Sequence, residues 1–480
     1  MLFVTAQFLV FLVCTVVIYW VLPPKFRIWF LTAASLFFYA TWNPRFMLHF
    51  LVVVGVNWSV IELWRVYRKN WIFYVLQLAN LCNLAFFKYF YFFADIIGRS
   101  AGISWLEQPA FQDSQKALGY EILLPLAISF YTFQIMSYGF DIFRGVYTEK
   151  NSLLELLLFK AFFPQLIAGP IMRSAELLPQ IRQCRTEGLT LDQNSFYKGL
   201  WLCMIGVVKK VLIADRLMEY LGPIIGTKDP SVYAPLYLWL AVIAFAAMVY
   251  SDFSAYSDLA RGFGLLLGFQ IPVNFKAPLF FISVTDFWRR WHITFSRWLR
   301  DYIYIALGGN RVSKARLYFN FIFTFFIGGL WHGAAYTYVV WGILLGVMLS
   351  IESFMESKGI PEFPVTWWGR ILRRTLGHLM FWPTTVFFMG TSWTWCMHAL
   401  SSMANLPRLV VADGLEPMHV ETALYAMAGV LVFHLFDEYP ERFAKLRRAE
   451  RILVPAGGLA LILILSQFTG GQKDFFYFQF

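Results

Sequence analysis

Uncharged apolar stretches long enough to cross a membrane recur along the 480-residue chain. Residues 2–22, 230–251 and 375–407 contain no Asp, Glu, Lys or Arg. A helix of about 20 apolar residues crosses a hydrocarbon core of roughly 30 Å, so each stretch suffices for one crossing. About a dozen hydrophobic segments of this kind can be counted along the chain. The pattern predicts an all-α, polytopic integral membrane protein.

Basic clusters between the apolar segments predict the orientation in the membrane. Cytoplasmic loops of membrane proteins are enriched in Lys and Arg. Placing these clusters in the cytoplasm puts both chain ends outside, with residues 452–468 as the last crossing and residues 469–480 as an extracytoplasmic tail. No Ser-, Gly- or Pro-rich linker divides the chain, so residues 1–480 are expected to form a single integral domain. The densest basic cluster consists of Arg442, Lys445, Arg447, Arg448 and Arg451.

Composition supports this class and argues against others. Hydrophobic residues make up 59% of the chain and charged residues 14%, whereas about a quarter of a soluble domain is charged. The formal charge of +11 is explained by basic cytoplasmic loops, so no nucleic-acid partner is expected. The five cysteines are scattered without a C-x-x-C pair, and they predict neither a disulfide framework nor a metal site.

Residues 286–316 depart from the apolar pattern because seven basic residues fall within them. Aromatic residues nevertheless recur at spacings of three and four, which is typical of one stripe of a helix. Such a helix is expected to lie in the membrane interface or in a cavity lined by protein. An equally weighted alternative is that this helix serves only as a structural anchor at the membrane interface. The aromatic positions are Trp288, Trp291, Phe295, Trp298 and Tyr302.

His332 is the only ionisable residue among Asp, Glu, Lys, Arg and His in residues 317–351. At 1.5 Å per residue a helix over this stretch would extend about 52 Å, too long for one crossing. The glycines at 328, 329 and 333 permit a break or a close backbone approach. An ionisable group inside the membrane is a functional candidate, the alternative being a neutral core histidine. His292, within residues 289–292 (RRWH), is the second candidate.

Several short motifs of the chain resemble those of one known family. Trp331-His332-Gly333, preceded by DFWRRWH at 286–292 and LRDY at 299–302, resembles the signature of the membrane-bound O-acyltransferase superfamily. FPQLIAGP at 163–170, SFYTFQ at 129–134 and the terminal FFYFQF at 475–480 resemble its bacterial alginate O-acetyltransferase branch. The fragments occur in order over nearly the whole chain. The resemblance implies transmembrane, interfacial and re-entrant helices around a central channel.

The resemblance also implies residue roles. His332 matches the catalytic histidine of the family, and His292 matches a second histidine of its signature. Tyr477 matches the tyrosine of a C-terminal motif that also ends the small partner peptide of teichoic-acid D-alanylation, where this tyrosine is the proposed acyl carrier. A tyrosine hydroxyl is a poor nucleophile until a positioned base takes its proton. His332 is therefore expected to activate Tyr477, which would relay the acyl group outward.

The expected reaction is transfer of an acetyl group from a cytoplasmic thioester, acetyl-CoA, to an extracytoplasmic polysaccharide similar to alginate. No tightly bound cofactor is expected, because a thioester already stores the free energy for acyl transfer. The expected partners are the lipid bilayer, a periplasmic SGNH-type acetyltransferase or esterase, and the exopolysaccharide machinery, with the chain in the bacterial inner membrane. The candidates for contacts with CoA phosphates are Arg289, Arg290, Arg297 and Arg300.

Two alternatives remain open. An enzyme of the same superfamily could acetylate peptidoglycan or another cell-wall polymer, since the tail motif does not distinguish between extracytoplasmic carbohydrates. A multi-pass transporter would account equally well for the apolar segments. A transporter does not explain a buried histidine within W-H-G or an aromatic terminal motif, and it would more readily show paired charges in matching halves.

Overall fold

The computed structural model describes residues 3, 5–119, 121–359, 366–405, 418–439 and 457–458. Every regular element in these ranges is helical, which confirms the predicted all-α class. By its internal contacts the chain divides into two compact units. The first comprises Met1–Asp192, Gly264–Ile271 and Gly333–Ala335, and the second Gln193–Phe263, Pro272–His332 and Tyr336–Phe480.

The first unit holds the N-terminal helices. They are α1 (Ala6–Val21), α2 (Pro24–Ala40), α3 (Pro44–Tyr67), α4 (Asn70–Ala101), α5 (Ala110–Ala117), α6 (Ile128–Phe143), α7 (Leu153–Ala161), α8 (Phe163–Leu166) and α9 (Ser174–Thr186).

The second unit holds the helices that follow. They are α10 (Gln193–Val208), α11 (Asp215–Gly226), α12 (Pro235–Leu266, apart from its last residues), α13 (Val284–Arg290), α14 (Ile293–Leu299), α15 (Lys314–His332), α16 (Tyr336–Ser357), α17 (Trp367–Met389), α18 (Trp393–Ala404) and α19 (Val420–Glu438).

Five helices of the described ranges are long and apolar enough to cross a membrane: α3, α4, α12, α16 and α19. Helix α1 is apolar but shorter. The chain is therefore a multi-pass membrane protein, whereas the predicted dozen segments are not confirmed. One reason is that apolar stretches are divided between helices. The uncharged residues 375–407 contain the end of α17 and all of α18, separated at Gly390, where Ser392 caps α18 by accepting a hydrogen bond from the Trp395 amide.

A wide turn of π-helix, Lys209–Ala214, joins α10 to α11. Its first two residues are lysines that both pair with aspartates of α12. Lys209 Nζ lies 2.8 Å from Asp258 Oδ2, and Lys210 Nζ lies 2.8 Å from Asp252 Oδ1. Both lysines are buried. Buried pairs of this kind add little net stability, but losing one partner strands a charge, so they fix how the three helices align.

Helices α15 and α16 approach each other at glycines. A Cβ placed on Gly342 would lie 3.1 Å from the Cα of Gly329, and one on Gly346 would lie 2.5 Å from the Cα of Ile322. Gly342 and Gly346 form a G-x-x-x-G pair, which allows close backbone packing of membrane helices. The two backbones are therefore in direct contact, and no side chain larger than hydrogen fits between them at these positions.

We expect Gly346→Ala to destabilise the protein, because the added methyl meets the backbone of α15 and not a side chain that can move. Overpacking of this kind costs about 1–3 kcal/mol. The matched control is Gly222→Ala in α11, where nothing lies within 4 Å of the position that the added methyl would take and alanine improves helix propensity. Thermal unfolding in detergent measures both variants. Equal midpoints for Gly346→Ala and Gly222→Ala would contradict the close contact.

Candidate functional site

His332 is the last residue of α15 and only 2% of its surface is exposed. The glycines predicted a break or a close backbone approach, and the helix ends directly after this histidine. Three aromatic rings surround the imidazole, with centroids 4.8 Å away for Trp331, 5.2 Å for Trp341 and 4.9 Å for Phe388. Trp341 precedes Gly342, so the glycine contact between α15 and α16 brings it against His332.

His292 is buried and occupies the N-cap position of α14 with a φ of 39°. This left-handed conformation is strained for a residue with a side chain and is often found at functional sites. The ring packs edge-to-face on Phe253, with a centroid distance of 4.6 Å, and against Phe295 at 5.0 Å. Tertiary contacts, and not the helix itself, hold the imidazole in place.

Asn274 determines the hydrogen bonding of His292. Its Oδ1 lies 3.2 Å from His292 Nδ1 and accepts hydrogen bonds from the amide and hydroxyl of Thr294, at 3.2 and 2.9 Å. Because the Thr294 amide can only donate, the atom facing it must be the oxygen of the asparagine. His292 then carries its proton on Nδ1, and Nε2 is an acceptor. Within the described ranges Nε2 is buried and has no hydrogen-bond partner.

The two candidate histidines meet at one pair of stacked aromatic rings. Phe295 and Trp331 stack with centroids 4.3 Å apart. His292 lies 5.0 Å from Phe295 and 5.8 Å from Trp331, and His332 lies 6.3 Å and 4.8 Å from the same rings. Two residues forty positions apart in the chain thus share one site. Tyr477, the third candidate, lies outside the described residues.

A small apolar cavity of about 40 Å³ adjoins His332. Its walls come from helices α12, α13, α15, α16 and α17 and the segment before α13. Apart from His332 and Thr385, every lining side chain is aliphatic or aromatic. The lining includes Ala246, Trp291, Trp341, Trp382 and Phe388.

A larger cavity of about 550 Å³ also lies in the second unit, and both apolar and charged side chains line it. Its buried part reaches Lys209 and Asn274, and its exposed part ends at Lys198 and Lys276. Lining basic residues outnumber acidic ones, since Lys198, Lys209, Arg261 and Lys276 face Asp258 and Asp437. The two cavities approach each other at Phe275 and Trp291, whose rings meet edge-to-face with centroids 5.2 Å apart.

The four arginines predicted to contact phosphates have different environments. Arg290 pairs with Asp286 at 2.9 Å and with Glu438 of α19 at 2.6 Å. Arg300 pairs with its neighbour Asp301. Arg289 is exposed and Arg297 is half-buried. None of the four lines either cavity in the part of the chain that the structure describes. Arg290 thus ties α13 to α19.

The prediction of one continuous helix along the aromatic stripe is wrong, whereas burial within the protein agrees with one of its two expected locations. The segment forms α13 and α14, which are interrupted at Trp291 and His292, followed by a π-helical turn at Arg300–Tyr304. The aromatic stripe is buried inside the protein and does not lie on a surface. Periodicity identified an apolar face correctly, but the capping of α14 by Asn274 breaks the helix. The exposed fractions are 9% for Trp288, 8% for Trp291, 1% for Phe295, 5% for Trp298 and 7% for Tyr302.

The two motifs of the first unit also meet. Gln134 Nε2 donates to Gln165 Oε1 at 3.3 Å, and Gln165 Nε2 donates to the Phe159 carbonyl at 2.8 Å. Gly169 packs on the backbone of Gln165, where a Cβ placed on the glycine would lie only 2.5 Å from the Gln165 Cα. The fragments at 129–134 and 163–170 therefore form one buried polar contact.

Sequence reasoning missed Lys209 and Asn274. Lys209 could have been found, because Lys209 and Lys210 interrupt an otherwise apolar helical stretch, and charged residues in such stretches mark candidate sites. Asn274 carried no comparable signal, since an asparagine in a loop is ordinary. Its importance depends on its contact with His292. Among the described residues, no group of three His, Cys, Asp or Glu is arranged to hold a metal ion.

Comparison with known proteins identifies the family of sequences that this chain resembles. The model of the MBOAT, membrane-bound O-acyltransferase family matches residues 144–397. This range contains both histidines, Asn274 and most of the residues that line the two cavities.

Curated relatives align over most of the chain. A probable alginate O-acetylase AlgI of Pseudomonas aeruginosa is 37% identical over 372 residues, covering 76% of this chain and 68% of that protein. The probable alginate O-acetylase AlgI of Pseudomonas fluorescens is 33% identical over 455 residues, covering 92% and 83%. A peptidoglycan O-acetyltransferase of Helicobacter pylori is 31% identical over 428 residues, covering 83% and 76%.

We expect Asn274→Ala to destabilise the second unit, because it leaves the donors of His292 and Thr294 without their acceptor. A buried donor left unsatisfied costs about 1–3 kcal/mol. Ser257→Ala is the matched control, since it removes only the acceptor of the Asn274 Nδ2 group and leaves the Oδ1 contacts in place. Thermal unfolding in detergent should show a lower midpoint for Asn274→Ala than for Ser257→Ala. Equal losses in both would argue against a role for the Oδ1 contacts.

Proposed function

The chain belongs to the membrane-bound O-acyltransferase family, and we propose that it transfers an acetyl group from a cytoplasmic thioester towards a hydroxyl of an extracytoplasmic polysaccharide. The observation that carries the proposal is the pair of buried histidines around Phe295 and Trp331, with one of them on an apolar cavity. Relatives named for alginate O-acetylation support a polysaccharide acceptor. Family membership favours an acyltransferase over the transporter alternative.

His332 is the general base of the proposed reaction. A neutral imidazole takes the proton of the attacking hydroxyl as the hydroxyl oxygen bonds to the thioester carbonyl carbon. The carbon–sulfur bond then breaks, and the thiolate takes the proton back from the imidazolium. The products are an oxygen ester and a free thiol, so atoms and charges balance. Burial among aromatic rings excludes water, which would otherwise hydrolyse the thioester.

His292 supports this step through its Nε2 atom. Asn274 holds the Nδ1–H form, which leaves Nε2 as an acceptor inside the site. An acceptor there can bind and orient a hydroxyl or receive its proton. A hydrogen bond to one ring nitrogen of a histidine, such as the one that Asn274 makes here, fixes the tautomer and the orientation of the imidazole. His292 is therefore assigned a role in positioning the attacking hydroxyl.

The larger cavity is the proposed binding site of the donor. Its excess of basic residues suits the phosphates of CoA, and its apolar lining suits the pantetheine arm. Lys209 lies at the buried end of the cavity, where the pantetheine arm would extend, and its ammonium is paired with Asp258. Arg289 and Arg300 are exposed and contribute to attracting the anionic donor, together with Arg297, whereas Arg290 is engaged with Asp286 and Glu438.

The outward half of the reaction is assigned to Tyr477. The tail at 469–480 lies on the extracytoplasmic face of the bacterial inner membrane in this proposal, and aromatic neighbours of Tyr477 partition its hydroxyl back towards His332. The acylated tyrosine passes the acetyl group to the polysaccharide through a periplasmic SGNH-type partner. The basic cluster at 442–451 supports this orientation.

Peptidoglycan is the second candidate acceptor. The relative from Helicobacter pylori is named a peptidoglycan O-acetyltransferase and covers 83% of this chain. The aligned alginate relatives reach higher identity, so an alginate-like exopolysaccharide is preferred. Analysis of O-acetyl groups in isolated exopolysaccharide and in isolated peptidoglycan from the same deletion strain distinguishes the two.

We expect His332→Ala to abolish acetyl transfer, with a loss of about 10²–10⁴-fold, which is the range for removal of a general base. His292→Ala should weaken transfer without eliminating it. His49→Ala in α3 is the control, because His49 belongs to the first unit, where it is bonded to Asn83 and Tyr131. Product O-acetylation is measured in strains matched for membrane expression. Normal acetylation in the His332→Ala strain would refute the assignment.

We expect Tyr477→Phe to abolish acetylation of the polysaccharide, because it removes the nucleophile and keeps the aromatic ring. Tyr425→Phe, at an exposed position of α19, controls for loss of an unrelated hydroxyl. Mass spectrometry should find an acetyl group on the C-terminal peptide of the wild type after donor addition. Full activity of Tyr477→Phe together with an unmodified peptide would mean that the acetyl group passes directly to the acceptor or a partner.

A further inference from the structure

The apolar cavity beside His332 is small for a membrane acyltransferase site. Its volume is about 40 Å³. A single water needs roughly 10–15 Å³, and a cavity of about 150 Å³ holds benzene, which has six carbon atoms. By this scale the cavity accommodates one or two carbon atoms. It has room for the methyl group of an acetyl unit and not for a longer chain.

The walls of the cavity are interlocked aromatic rings. Phe388 contacts His332 and Trp341, both with centroid distances of 4.9 Å, and it lies 5.9 Å from Phe245 of α12. Trp341 also contacts His332 at 5.2 Å. Close-packed rings of this kind cannot rotate or shift without displacing their neighbours. The volume is therefore a property of the packed helices and not of one movable side chain.

The lining also selects by charge. Apart from His332 and Thr385, the cavity presents only hydrocarbon and aromatic surface. An acyl group carrying an ammonium would lose its hydration there without a carboxylate to replace it. The cavity therefore suits an uncharged acyl group and excludes an aminoacyl group.

We propose that this cavity is the acyl-selectivity pocket of the enzyme, in which Phe388 restricts the transferred group to an uncharged two-carbon unit. The inference rests on the proposed function, since it assumes that the thioester carbonyl reaches His332. The carbonyl then lies at the imidazole and the methyl group points away from it, towards Phe388 and Trp341. Each added methylene of a longer donor would overlap these rings.

The test is a competition between donors in permeabilised cells that express the full chain together with the exopolysaccharide machinery and its periplasmic partner. Acetyl-CoA, propionyl-CoA and butyryl-CoA are supplied together, and acyl groups on the polysaccharide are counted by mass spectrometry. Phe388→Ala enlarges the pocket, and we expect the ratio of butyryl to acetyl transfer to rise by about tenfold or more, the scale of discrimination by one methylene in an apolar pocket. β-Alanyl-CoA matches butyryl-CoA in length but carries an ammonium in place of the terminal methyl group, and it should be rejected by the wild type and also by Phe388→Ala, which admits butyryl.

Phe387→Ala is the matched control. Phe387 is the adjacent residue of α17 and is as buried as Phe388, at 7% exposed, but its ring faces Trp393 and does not line the cavity. The Phe387→Ala variant should be destabilised about as much as Phe388→Ala and should keep the wild-type preference for acetyl. Phe388→Leu is a milder enlargement that serves if Phe388→Ala does not accumulate in membranes, and it should shift the preference towards propionyl.

The outcomes separate the two proposals. A wild type that transfers none of the acyl groups from any donor would refute the proposed function. A wild type that transfers acetyl, propionyl and butyryl equally would leave the proposed function intact and refute the pocket. Active Phe388→Ala and Phe388→Leu variants with an unchanged donor ratio, or a change that Phe387→Ala reproduces, would also refute it.

Discussion

The direct backbone contact between α15 and α16 is the packing interaction on which the site depends. Glycines at 329, 342 and 346 let the two helices touch without intervening side chains. Trp341 then comes to lie against His332, which ends α15. If the helices stood further apart, the tryptophan would withdraw and the cavity beside the histidine would widen. The close approach therefore determines both where the imidazole lies and how much space is left next to it.

Internal pairing of polar groups is the second constraint, because a membrane protein cannot rely on water to satisfy them. Lys209 and Lys210 pair with aspartates of α12, and Asn274 accepts three hydrogen bonds around His292. Such contacts add little to the net stability of the protein, but a buried polar group that loses its partner destabilises it. They consequently align α10, α12 and α14 in one arrangement. Within the described residues His292 Nε2 is one of several buried side-chain atoms without a hydrogen-bond partner. Its ring lies against Phe295 and Trp331, and this position is the physical ground for the proposal that it contacts a substrate.

The aromatic residues of the second unit have a structural and a chemical role at once. Stacked and edge-to-face rings are rigid and bury large areas, so they hold the shape of a small cavity better than aliphatic chains would. Around His332 they exclude water and limit volume. At Phe275 and Trp291 they separate an apolar cavity from one that also carries charged side chains. In the proposed reaction these are the separate surroundings of the thioester and of its charged carrier.

The amino-acid sequence by itself determined the helical class and the membrane environment and marked the two histidines as candidates, because apolar periodicity and an isolated ionisable group are local features. It also marked the glycines around His332 as positions for a break or a close backbone approach, because glycine weakens a helix wherever it stands. Only the tertiary structure decided that the stripe from Trp288 to Tyr302 is buried and broken. That break depends on Asn274, which reaches His292 and Thr294 from a separate segment. The meeting of His292 with His332 likewise requires α14 to pack on the end of α15. Contacts between distant segments leave no periodic trace in the chain, so the cavities, their volumes and the pairing of Lys209 with Asp258 emerge only when the helices pack.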